Sequence, residues 1–565
     1  MADIEELTPD FPIIWTDAED QTRFWAYSGN YMPAPFAPVE QDLFGHIIAQ
    51  GWNYALTHFR AGRFHVKFFN GYYYDVMDST PVLSTAECEA VKVEKIAPLI
   101  AQFAGAPAAD PAAFQAWSEG WLAEVKQQLA ALARYDLTQP LPALLADLDD
   151  ASRRAARISE RHAQQFPILN TILFEFEQFY QDLFGQEGLP HYQLLHQYEP
   201  YLIKGNRRLW ELGRRIQRQP ALSALFLNTK PENLWSQLAA APEARLILSE
   251  LQTFLDDYGK QGEMIGYFRF PYWADDPTPV LINLQTHVAH PEHDLAAELY
   301  RKQQQQAAAV AAVRGQLIPY PQPVIDQFEA LLAKAQKATF MLDEHIYWME
   351  LAPGYHLRQL LLAIGRAFQQ TGCLEQADDI FYLRLAELRP LAARPVSQAA
   401  LIAERKAEMA RWEQMTPLPF IGEFPTEPPP SNPVMDVIFA LYGMPLPPPE
   451  DPQLLVGYGA SPGIVQGPVK VLRSIREAAK LEPGDILVTN MTTPTWTPIF
   501  ANVAGIITDS GGMLSHPAIV AREMGIPAVV GTGQASFVLQ DGQQVLLDGT
   551  TGQVRILGPQ NAAAA

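Results

Sequence analysis

The chain has 565 residues, 48% of them hydrophobic, and a net charge of −22 at pH 7. This length exceeds what one compact core accommodates, so we expect two or three domains. The acidic balance argues against a nucleic acid partner, because that would require a basic face. No run of 18 apolar residues is present and the first residues lack the features of a signal peptide, so we expect no membrane span. With two cysteines, Cys88 and Cys373, the composition fits a reducing compartment, and we expect a cytoplasmic location.

Residues 1–80 mix aromatic and turn-forming residues. The run GRFHVKFFNGYYYDVM predicts a hairpin with its turn at Asn70–Gly71, since Asn-Gly favours the tight turns that join two strands. The aromatic side chains here are compatible with an apolar acceptor pocket or with core packing. They are Phe24, Trp25, Tyr31, Phe36, Phe68, Phe69, Tyr72, Tyr73 and Tyr74.

Residues 108–413 show apolar side chains at three- and four-residue steps, which predicts a large helical region. The clearest helical runs are 167–184, 232–259 and 324–350. Within this region His287, His290 and His293 are spaced like metal ligands, but Pro291 interrupts a helix there and no cysteine or obvious carboxylate completes the set. A solvated loop is the simpler reading, and we expect no metal site.

A proline-rich stretch follows at 417–433 and resumes at 444–452, with a short apolar helix predicted at 434–443. Proline removes helix donors and stiffens the chain, so this stretch marks a domain boundary. It is either a packed surface loop or a semi-rigid hinge. After Gly457, short Val- and Ile-rich runs alternate with turns and two helical segments, SIREAAKL and HPAIVAREMG, which predicts a compact β/α sandwich.

Residues 508–533 read TDSGGMLSHPAIVAREMGIPAVVGTG and place His516 between a glycine pair and a short amphipathic helix. Gly511 and Gly512 allow left-handed turns and close approach to a ligand. Pro517 suits the first helical turn. An imidazole at this helix start would lie beside free amides that stabilise an anion, and it could carry a phosphoryl group. The alternative is a histidine that simply caps a helix.

Four blocks in this part of the chain resemble the swivelling phosphohistidine domain of the phosphoenolpyruvate-utilising enzymes. They are 457–472, 481–500, the histidine segment and 541–557. The resemblance implies that His516 is phosphorylated and carries the group between two active sites. Pro517 and Leu514 depart from the family, which usually has a small residue after the histidine and often a hydroxyl residue two positions before it.

The same resemblance implies which side chains surround the phosphate. Gly511, Gly512, Ser515 and Thr508 are expected to cradle it, with turn formation as the alternative role of the two hydroxyl residues. Arg522 and Glu523 are candidate supporting residues, and Arg522 is expected to pair with Glu523 or Asp509 and hold the helix.

The front of the chain resembles the substrate domain of rifampin phosphotransferase relatives in the segments 31–44, 258–281 and 357–388. Where those relatives often begin a block with Gly-His-Arg, this chain has Gly259, Lys260 and Gln261. We therefore expect a multidomain protein, with a mostly α-helical substrate-binding domain over 1–416, a Pro-rich hinge over 417–453, a β/α swivelling phosphohistidine domain over 454–558 and a tail over 559–565.

The resemblance implies a phosphotransferase subunit. A separate ATP-grasp polypeptide, holding ATP and Mg²⁺, would phosphorylate His516, which would then transfer the group to the hydroxyl of a small organic acceptor. A phenol is one candidate acceptor. Candidate acceptor-site residues are Lys260, Glu263, Arg358 and Arg366, the two arginines lying eight apart on one helix. Two alternatives remain open: phosphorylation that drives an elimination or condensation on the same scaffold, and a non-enzymatic phosphohistidine relay protein.

Overall fold

The computed structural model describes most of the chain. It covers residues 11–15, 17–29, 32–78, 80–104, 110–185, 191–196, 198–262, 264–418, 420–422, 432–434, 449, 451, 453–473, 475–490, 492, 496–500, 503–509, 511–512 and 515–557. For residues 475, 476, 479, 497, 498, 516, 519 and 523 it gives the backbone alone.

Helices dominate the chain up to Trp412, and strands dominate from Leu454 onward, as the sequence predicts. The helices are Pro38–Phe59 (α1), Thr85–Val91 (α2), Ala97–Ala101 (α3), Pro111–Leu132 (α4), Leu141–Phe184 (α5), Tyr201–Gln217 (α6), Pro220–Asn228 (α7), Pro231–Ala240 (α8), Arg245–Tyr258 (α9), Thr278–Ala289 (α10), Leu295–Leu317 (α11), Gln322–His345 (α12), Ala352–Gln370 (α13), Leu385–Ala393 (α14), Ala399–Trp412 (α15), Thr497–Phe500 (α16), His516–Met524 (α17) and Ala535–Val538 (α18). π-helical segments occur at Lys92–Ile96 and Ile346–Leu351. None of the helices in the described part of the chain has the length and apolar character needed to cross a membrane.

Two of the predicted helical runs are interrupted. The run 232–259 is divided between α8 and α9, with a short 3-10 turn at Pro242–Ala244 between them, because Pro242 lacks the amide that would continue α8. The run 324–350 passes from α12 into the π-helical turn Ile346–Leu351 before α13 begins.

The strands are Trp25–Tyr27 (β1), Arg63–Phe69 (β2), Tyr72–Asp78 (β3), Phe420–Ile421 (β4), Leu454–Val456 (β5), Tyr458–Ser461 (β6), Ile464–Val471 (β7), Ile486–Thr489 (β8), Gly505–Thr508 (β9), Ala528–Val530 (β10), Gln544–Asp548 (β11) and Gln553–Ile556 (β12). They form two sheets, ordered β2-β3-β1-β4 and β5-β12-β11-β7-β8-β9-β10-β6.

The first sheet contains the predicted hairpin. Phe69 pairs with Tyr72, and Asn70 and Gly71 both have positive φ, 48° and 75°, as the Asn-Gly turn requires. Most of the aromatic side chains that could have lined an acceptor pocket instead pack in cores, since their exposed fractions are 8% or less. These are Trp25, Phe36, Phe69, Tyr72, Tyr73 and Tyr74. Tyr31 lies outside the described residues.

Part of the predicted hinge is held against the helical region. β4 pairs with Trp25 and Ala26 of β1. Asn432 donates a hydrogen bond from Nδ2 to the carbonyl of Arg60 (3.1 Å), and Val434 is fully buried. Most of the remaining stretch, including the helix predicted at 434–443 beyond Val434, lies outside the described residues, so hinge motion stays a prediction.

The second sheet is the framework of the C-terminal region. β7, β8, β9 and β10 are parallel, and the outer strands join them antiparallel. Separate apolar clusters, one including Leu487 and Ile506 and the other Ile486 and Ile507, form the cores of this region. Alternate residues of each strand therefore face opposite sides of a layer that is covered on both faces. The segment predicted as the helix SIREAAKL forms the 3-10 turn Ile475–Lys480.

A close contact between two long helices supports the helical region. α1 and α5 approach so closely at Gly51 that a Cβ there would lie 2.7 Å from both the carbonyl carbon and the carbonyl oxygen of Ser159. Backbone atoms cannot rotate away as a side chain can, so the two helices must separate to admit a methyl group.

We predict that Gly51→Ala lowers the stability of the helical region by roughly 1–3 kcal/mol, the usual cost of overfilling a packed contact. The measurement is thermal unfolding followed by helical circular dichroism. Gly120→Ala is the matched control, because a Cβ at this exposed helical glycine meets nothing within 4 Å, and it should be neutral or stabilising. Equal melting temperatures for the Gly51 variant and wild type would contradict this account of the contact.

Candidate functional site: the loop before His516

The loop that carries the predicted site begins at the carboxyl end of the parallel strands. Thr508, the last residue of β9, pairs with Thr489 at the end of β8. The chain then turns and enters α17, which begins at His516 with Ser515 as its N-cap residue (φ −70°, ψ 156°) and Pro517 in the first turn. In open α/β sheets, ligands bind at this edge, outside the carboxyl ends of the strands. The predicted helix start is therefore confirmed by the backbone.

The buried side chain of Asp509 fixes the start of this loop through hydrogen bonds. Its side chain is buried, at 2% exposure, and its carboxylate accepts hydrogen bonds from the Ser536 amide (2.9 Å), the Ser536 hydroxyl and the Thr532 hydroxyl (3.3 Å). The Asp509 amide donates to the Thr489 carbonyl (3.2 Å). Burial raises the pKa of Asp509 to about 6, although the hydrogen bonds oppose the rise.

A tight turn follows the anchor. Gly511 has φ +107°, and a Cβ there would lie 2.7 Å from Cβ of Ser515, so only glycine fits. The carbonyl of Gly512 accepts hydrogen bonds from both the amide (3.0 Å) and the hydroxyl (2.8 Å) of Ser515. The turn is thus closed immediately before the first residue of α17.

The structure places the four predicted phosphate-cradling residues within one loop, but in different surroundings. Gly511, Gly512 and Ser515 form the turn itself, whereas Thr508 is fully buried at the end of β9. The Ser515 hydroxyl proton is donated to Gly512, which is the turn-forming role. Phosphate binding by this set stays a prediction. The side chains of His516 and Glu523 lie outside the described residues.

Arg522 joins α17 both to its own sheet and to the helical region. Its Nη1 donates to the carbonyl of Ala460 in β6 (2.8 Å), and its guanidinium carbon lies 5.0 Å from the ring centre of Tyr192. Burial and, secondarily, the Arg522 charge lower the pKa of His191 to about 4. Arg522 therefore ties the helix to β6 through a main-chain carbonyl and also contacts the other half of the molecule. Its expected pairing with Glu523 or Asp509 stays a prediction.

A second approach between the two halves involves the anchored loop. Burial is the main cause of the raised pKa of Tyr27 in β1, and the charge of Asp509 contributes. The Tyr27 hydroxyl donates to the carbonyl of Pro33 (3.1 Å). Asp509 thus lies near enough to Tyr27 for its charge to act there, while Arg522 near the end of α17 contacts Tyr192 in the 3-10 turn His191–Leu194. In this arrangement the C-terminal region is docked on the helical region.

The predicted acceptor-site residues do not form one cluster. Lys260 is half-buried, its Nζ donates to the carbonyl of Asp256 (3.4 Å), and burial lowers its pKa. Arg366 is exposed on α13, and Glu263 lies outside the described residues.

The guanidinium of Arg358 is used in hydrogen bonds within the protein. It is 5% exposed, and its guanidinium donates to Asp275 (2.9 Å) and to the carbonyls of Phe268 (2.7 Å) and Arg269 (3.0 Å). Since Arg358 is buried and Arg366 is exposed, their spacing of eight residues does not give them a common environment.

Two histidines of the run 287–293 contact glutamates that are close to them in the sequence. His290 contacts Glu292 (3.0 Å) and His293 contacts Glu298 (3.2 Å), and both histidines are about half exposed. Burial lowers the pKa of His287 to about 4. This agrees with the solvated-loop reading for His290 and His293.

A buried cluster that the sequence does not reveal lies between α5 and the end of α12. Nε2 of His162 is 3.5 Å, and Nε2 of His345 is 3.8 Å, from the same carboxylate oxygen of Glu350. Burial lowers the pKa of His162 to about 3 and of His345 to about 4, and raises that of Glu350 to about 8. In a regular α-helix, positions five apart point about 140° from one another, so the spacing of His345 and Glu350 carries no signal. The π-helical turn Ile346–Leu351 brings them together.

A second group that the sequence does not single out is Arg269. Its guanidinium pairs with Glu40, which is fully buried (2.7 Å), and lies 5.3 Å from the ring centre of Tyr267. Nη2 of Arg269 is buried with no hydrogen-bond partner among the described residues. Tyr267, beside this cation, is also one of the groups that contribute to the raised pKa of Tyr27.

Two segments of the chain match known protein families. Residues 481–552 match the family described as "PEP-utilising enzyme, mobile domain", and residues 185–343 match "Rifampicin phosphotransferase fourth domain". The first match spans β8 to β11 and includes the loop, α17 and His516. The second includes α6 to α11 and most of α12.

Three relatives illustrate the likeness. The chain is 31% identical to chondramide synthase cmdD of Chondromyces crocatus over 97% of this chain and 14% of that protein. It is 29% identical to the uncharacterized phosphotransferase YvkC of Bacillus subtilis over 67% of this chain and 45% of that protein. It is 29% identical to the rifampicin phosphotransferase of Streptomyces sviceus over 60% of this chain and 38% of that protein. The chain thus spans less than half the length of each of these relatives.

We predict that Asp509 gives the C-terminal region a distinctive pH dependence. Its folded pKa of about 6 lies above the ordinary value of 3.8 for an aspartate, so its contribution to stability is fully present below about pH 4 and is lost as the pH rises through about 6. Asp509→Asn should remove this loss. The free energy of unfolding of wild type should therefore fall relative to that of the variant by roughly 2–3 kcal/mol across that interval, since a pKa shift of one unit corresponds to about 1.4 kcal/mol. The measurement is chemical unfolding at several pH values.

Asp451→Asn is the control of opposite sign. A hydrogen bond from the Gln453 amide and contacts with Arg555 lower the pKa of Asp451, so its contribution is lost as the pH falls. Parallel pH profiles for wild type and Asp509→Asn would show that the Asp509 carboxyl does not titrate as its burial implies.

Proposed function

We propose that this chain is a phosphotransferase that acts through phosphorylated His516. The proposal starts from the two family matches, a mobile domain of the phosphoenolpyruvate-utilising type joined to a domain of the rifampicin phosphotransferase type. The observation that carries the proposal is the position of His516 as the first residue of α17, directly after a closed glycine turn at the carboxyl edge of the parallel strands.

The chemistry suits that position. Free amides at a helix start and the positive end of its dipole stabilise an anion, and the glycine turn lets the backbone approach it. A nitrogen of the His516 imidazole attacks a phosphorus of the donor, and the bond from that phosphorus to the donor's leaving oxygen breaks. The acceptor hydroxyl oxygen then attacks the phosphohistidine, the N–P bond breaks, and the hydroxyl proton passes to the departing imidazole or to a base.

For the donor, we propose ATP with Mg²⁺ held by an ATP-grasp polypeptide separate from this chain. The support is the family resemblance of the mobile domain. The rifampicin phosphotransferase from Streptomyces sviceus also extends well beyond the matched segment, so other parts of such proteins have room for a nucleotide site. For the acceptor, we propose a small organic molecule with a hydroxyl group.

The docked arrangement supports an acceptor site in the helical region. The charge of Asp509 acts on Tyr27, and Arg269, beside Tyr267, has an Nη2 without a hydrogen-bond partner among the described residues. A cation close to the point of transfer would offset the charge of the phosphoryl group. Lys260 and Arg366 stay candidates for binding the acceptor, whereas the Arg358 contacts above suit a framework role.

A second candidate function is a condensation or elimination that phosphorylation activates. The likeness to a protein named as a synthase, which extends over 97% of this chain, favours it. The two functions differ in the final product. A phosphotransferase releases a stable phosphate ester, whereas phosphorylation-driven condensation releases inorganic phosphate and a product without phosphorus. A relay protein without a small-molecule acceptor would release neither from this chain.

We predict that His516→Ala abolishes phosphoryl transfer, because it removes the only group proposed to form the covalent intermediate. The chain is incubated with an ATP-grasp partner, labelled ATP, Mg²⁺ and a panel of phenols and alcohols, and the products are analysed by mass spectrometry. His290→Ala, at an exposed loop histidine, is the matched control and should retain wild-type activity. Ester formation by the His516 variant at the wild-type rate would exclude the proposal.

We also predict that Gly511→Ala slows transfer strongly while the protein stays folded, because the added Cβ enters the space of Ser515 and moves the turn before His516. Gly542→Ala controls for backbone strain alone, since Gly542 also has positive φ (83°) but a Cβ there meets nothing within 4 Å. The measurement is the initial rate of labelling of the chain. Equal rates for the two variants would show that the geometry of the turn is not required.

A further inference from the structure

We propose that His162, His345 and Glu350 form a binding site for a divalent transition metal ion, with Zn²⁺ as its representative. The site is separate from the loop that carries His516, and it does not depend on the phosphotransferase proposal. The three side chains lie close together, and some of their nitrogen atoms have no hydrogen-bond partner among the described residues.

The ligand atoms are already gathered. One atom from each residue can be chosen so that all three lie within 4.8 Å of one another, and each imidazole Nε2 is within 3.8 Å of the carboxylate. In a tetrahedral site with metal–ligand bonds of about 2.0–2.1 Å, ligand atoms are separated by about 3.3–3.4 Å. Small side-chain movements therefore convert the observed triangle into one face of a tetrahedron.

The two imidazole rings lie close together and nearly parallel. Their centres are 5.1 Å apart and their planes differ by 11°. Nε2 of His162 is buried and has no hydrogen-bond partner among the described residues, and it is the same atom that points towards Glu350. A buried nitrogen of this kind is costly unless something occupies its lone pair or accepts its proton. A metal ion at the centre of the cluster would satisfy His162, His345 and Glu350 together.

The local backbone and surroundings also fit a site. Glu350 lies in the π-helical turn Ile346–Leu351, and single π-helical turns within α-helices frequently occur at functional positions. Nδ1 of His345 is also buried and has no hydrogen-bond partner among the described residues, so this histidine, like His162, has a ring nitrogen that the protein leaves unpaired. The side chains of His162 and Glu350 are 12% and 18% exposed, so an ion has a path to the cluster.

The donor set selects the class of ion. Two imidazoles and one carboxylate suit zinc and related first-row metals, whereas Mg²⁺ and Ca²⁺ prefer oxygen ligands. Three protein ligands leave a fourth position for water or another oxygen ligand, as in sites of catalytic type. Among the described residues, no other group of three His, Cys, Asp or Glu side chains meets the same distance criterion.

The test is a titration of the metal-stripped full chain with Zn²⁺ alone by calorimetry, and with Co²⁺ by visible absorption. We expect one tight equivalent of Zn²⁺ and a Co²⁺ spectrum of tetrahedral or five-coordinate form. His345→Ala and Glu350→Gln should each weaken Zn²⁺ binding by about tenfold or more. The glutamine variant keeps the side-chain volume, so it remains informative if removal of the imidazole impairs folding.

The matched control is the double variant His290→Ala with His293→Ala. These histidines form the other histidine-rich group in the helical region, and they are exposed beside Glu292 and Glu298. The control should bind the tight equivalent as wild type does. Absence of stoichiometric binding by wild type, or loss of the tight equivalent in the control but not in the two cluster variants, would overturn the proposal.

Discussion

The buried carboxylate of Asp509 is the constraint on which the C-terminal site depends. It ties the end of β9 to Thr532 and Ser536, beyond β10, through hydrogen bonds to its side chain. After this anchor the chain passes through the left-handed conformation of Gly511 before it enters α17. His516 thus lies at the start of a helix, a few residues beyond an anchored strand end.

The docked arrangement relates this loop to the rest of the molecule. Arg522 contacts Tyr192 near the end of α17, and the charge of Asp509 contributes to the raised pKa of Tyr27. A single ring contact with a cation contributes of order 1 kcal/mol. The covalent continuity between the two halves passes through the proline-rich stretch, whose first part is fixed as β4 beside β1. The proposed carrier role of His516 would require both a firm local anchor and docking that can be released.

Sequence alone predicts the parts of the fold that depend on local chemistry. The hairpin at Asn70–Gly71 and the helix that starts at His516 both follow from residues adjacent in the chain, and both are confirmed. The Val- and Ile-rich runs locate six of the eight strands in the C-terminal sheet; β5 and β6 lack that pattern.

Features that depend on distant residues are not predictable in this way. Arg358 looks like a free helix arginine until the fold brings Asp275 and the carbonyl of Phe268 to it. His345 and Glu350 look unrelated until a π-helical turn changes their relative direction. The role of Arg522 in docking likewise requires Tyr192, which is hundreds of residues away in the chain.

The most direct test of the central claim is to locate the phosphoryl group on the loaded chain. After incubation with a labelled donor and its nucleotide-binding partner, the protein is digested under alkaline conditions and the phosphopeptides are sequenced by mass spectrometry. The account predicts an acid-labile phosphate on the peptide that spans Ser515 and His516, carried by the imidazole. An acid-stable phosphate on the Ser515 hydroxyl, or a label confined to another part of the chain, would contradict it.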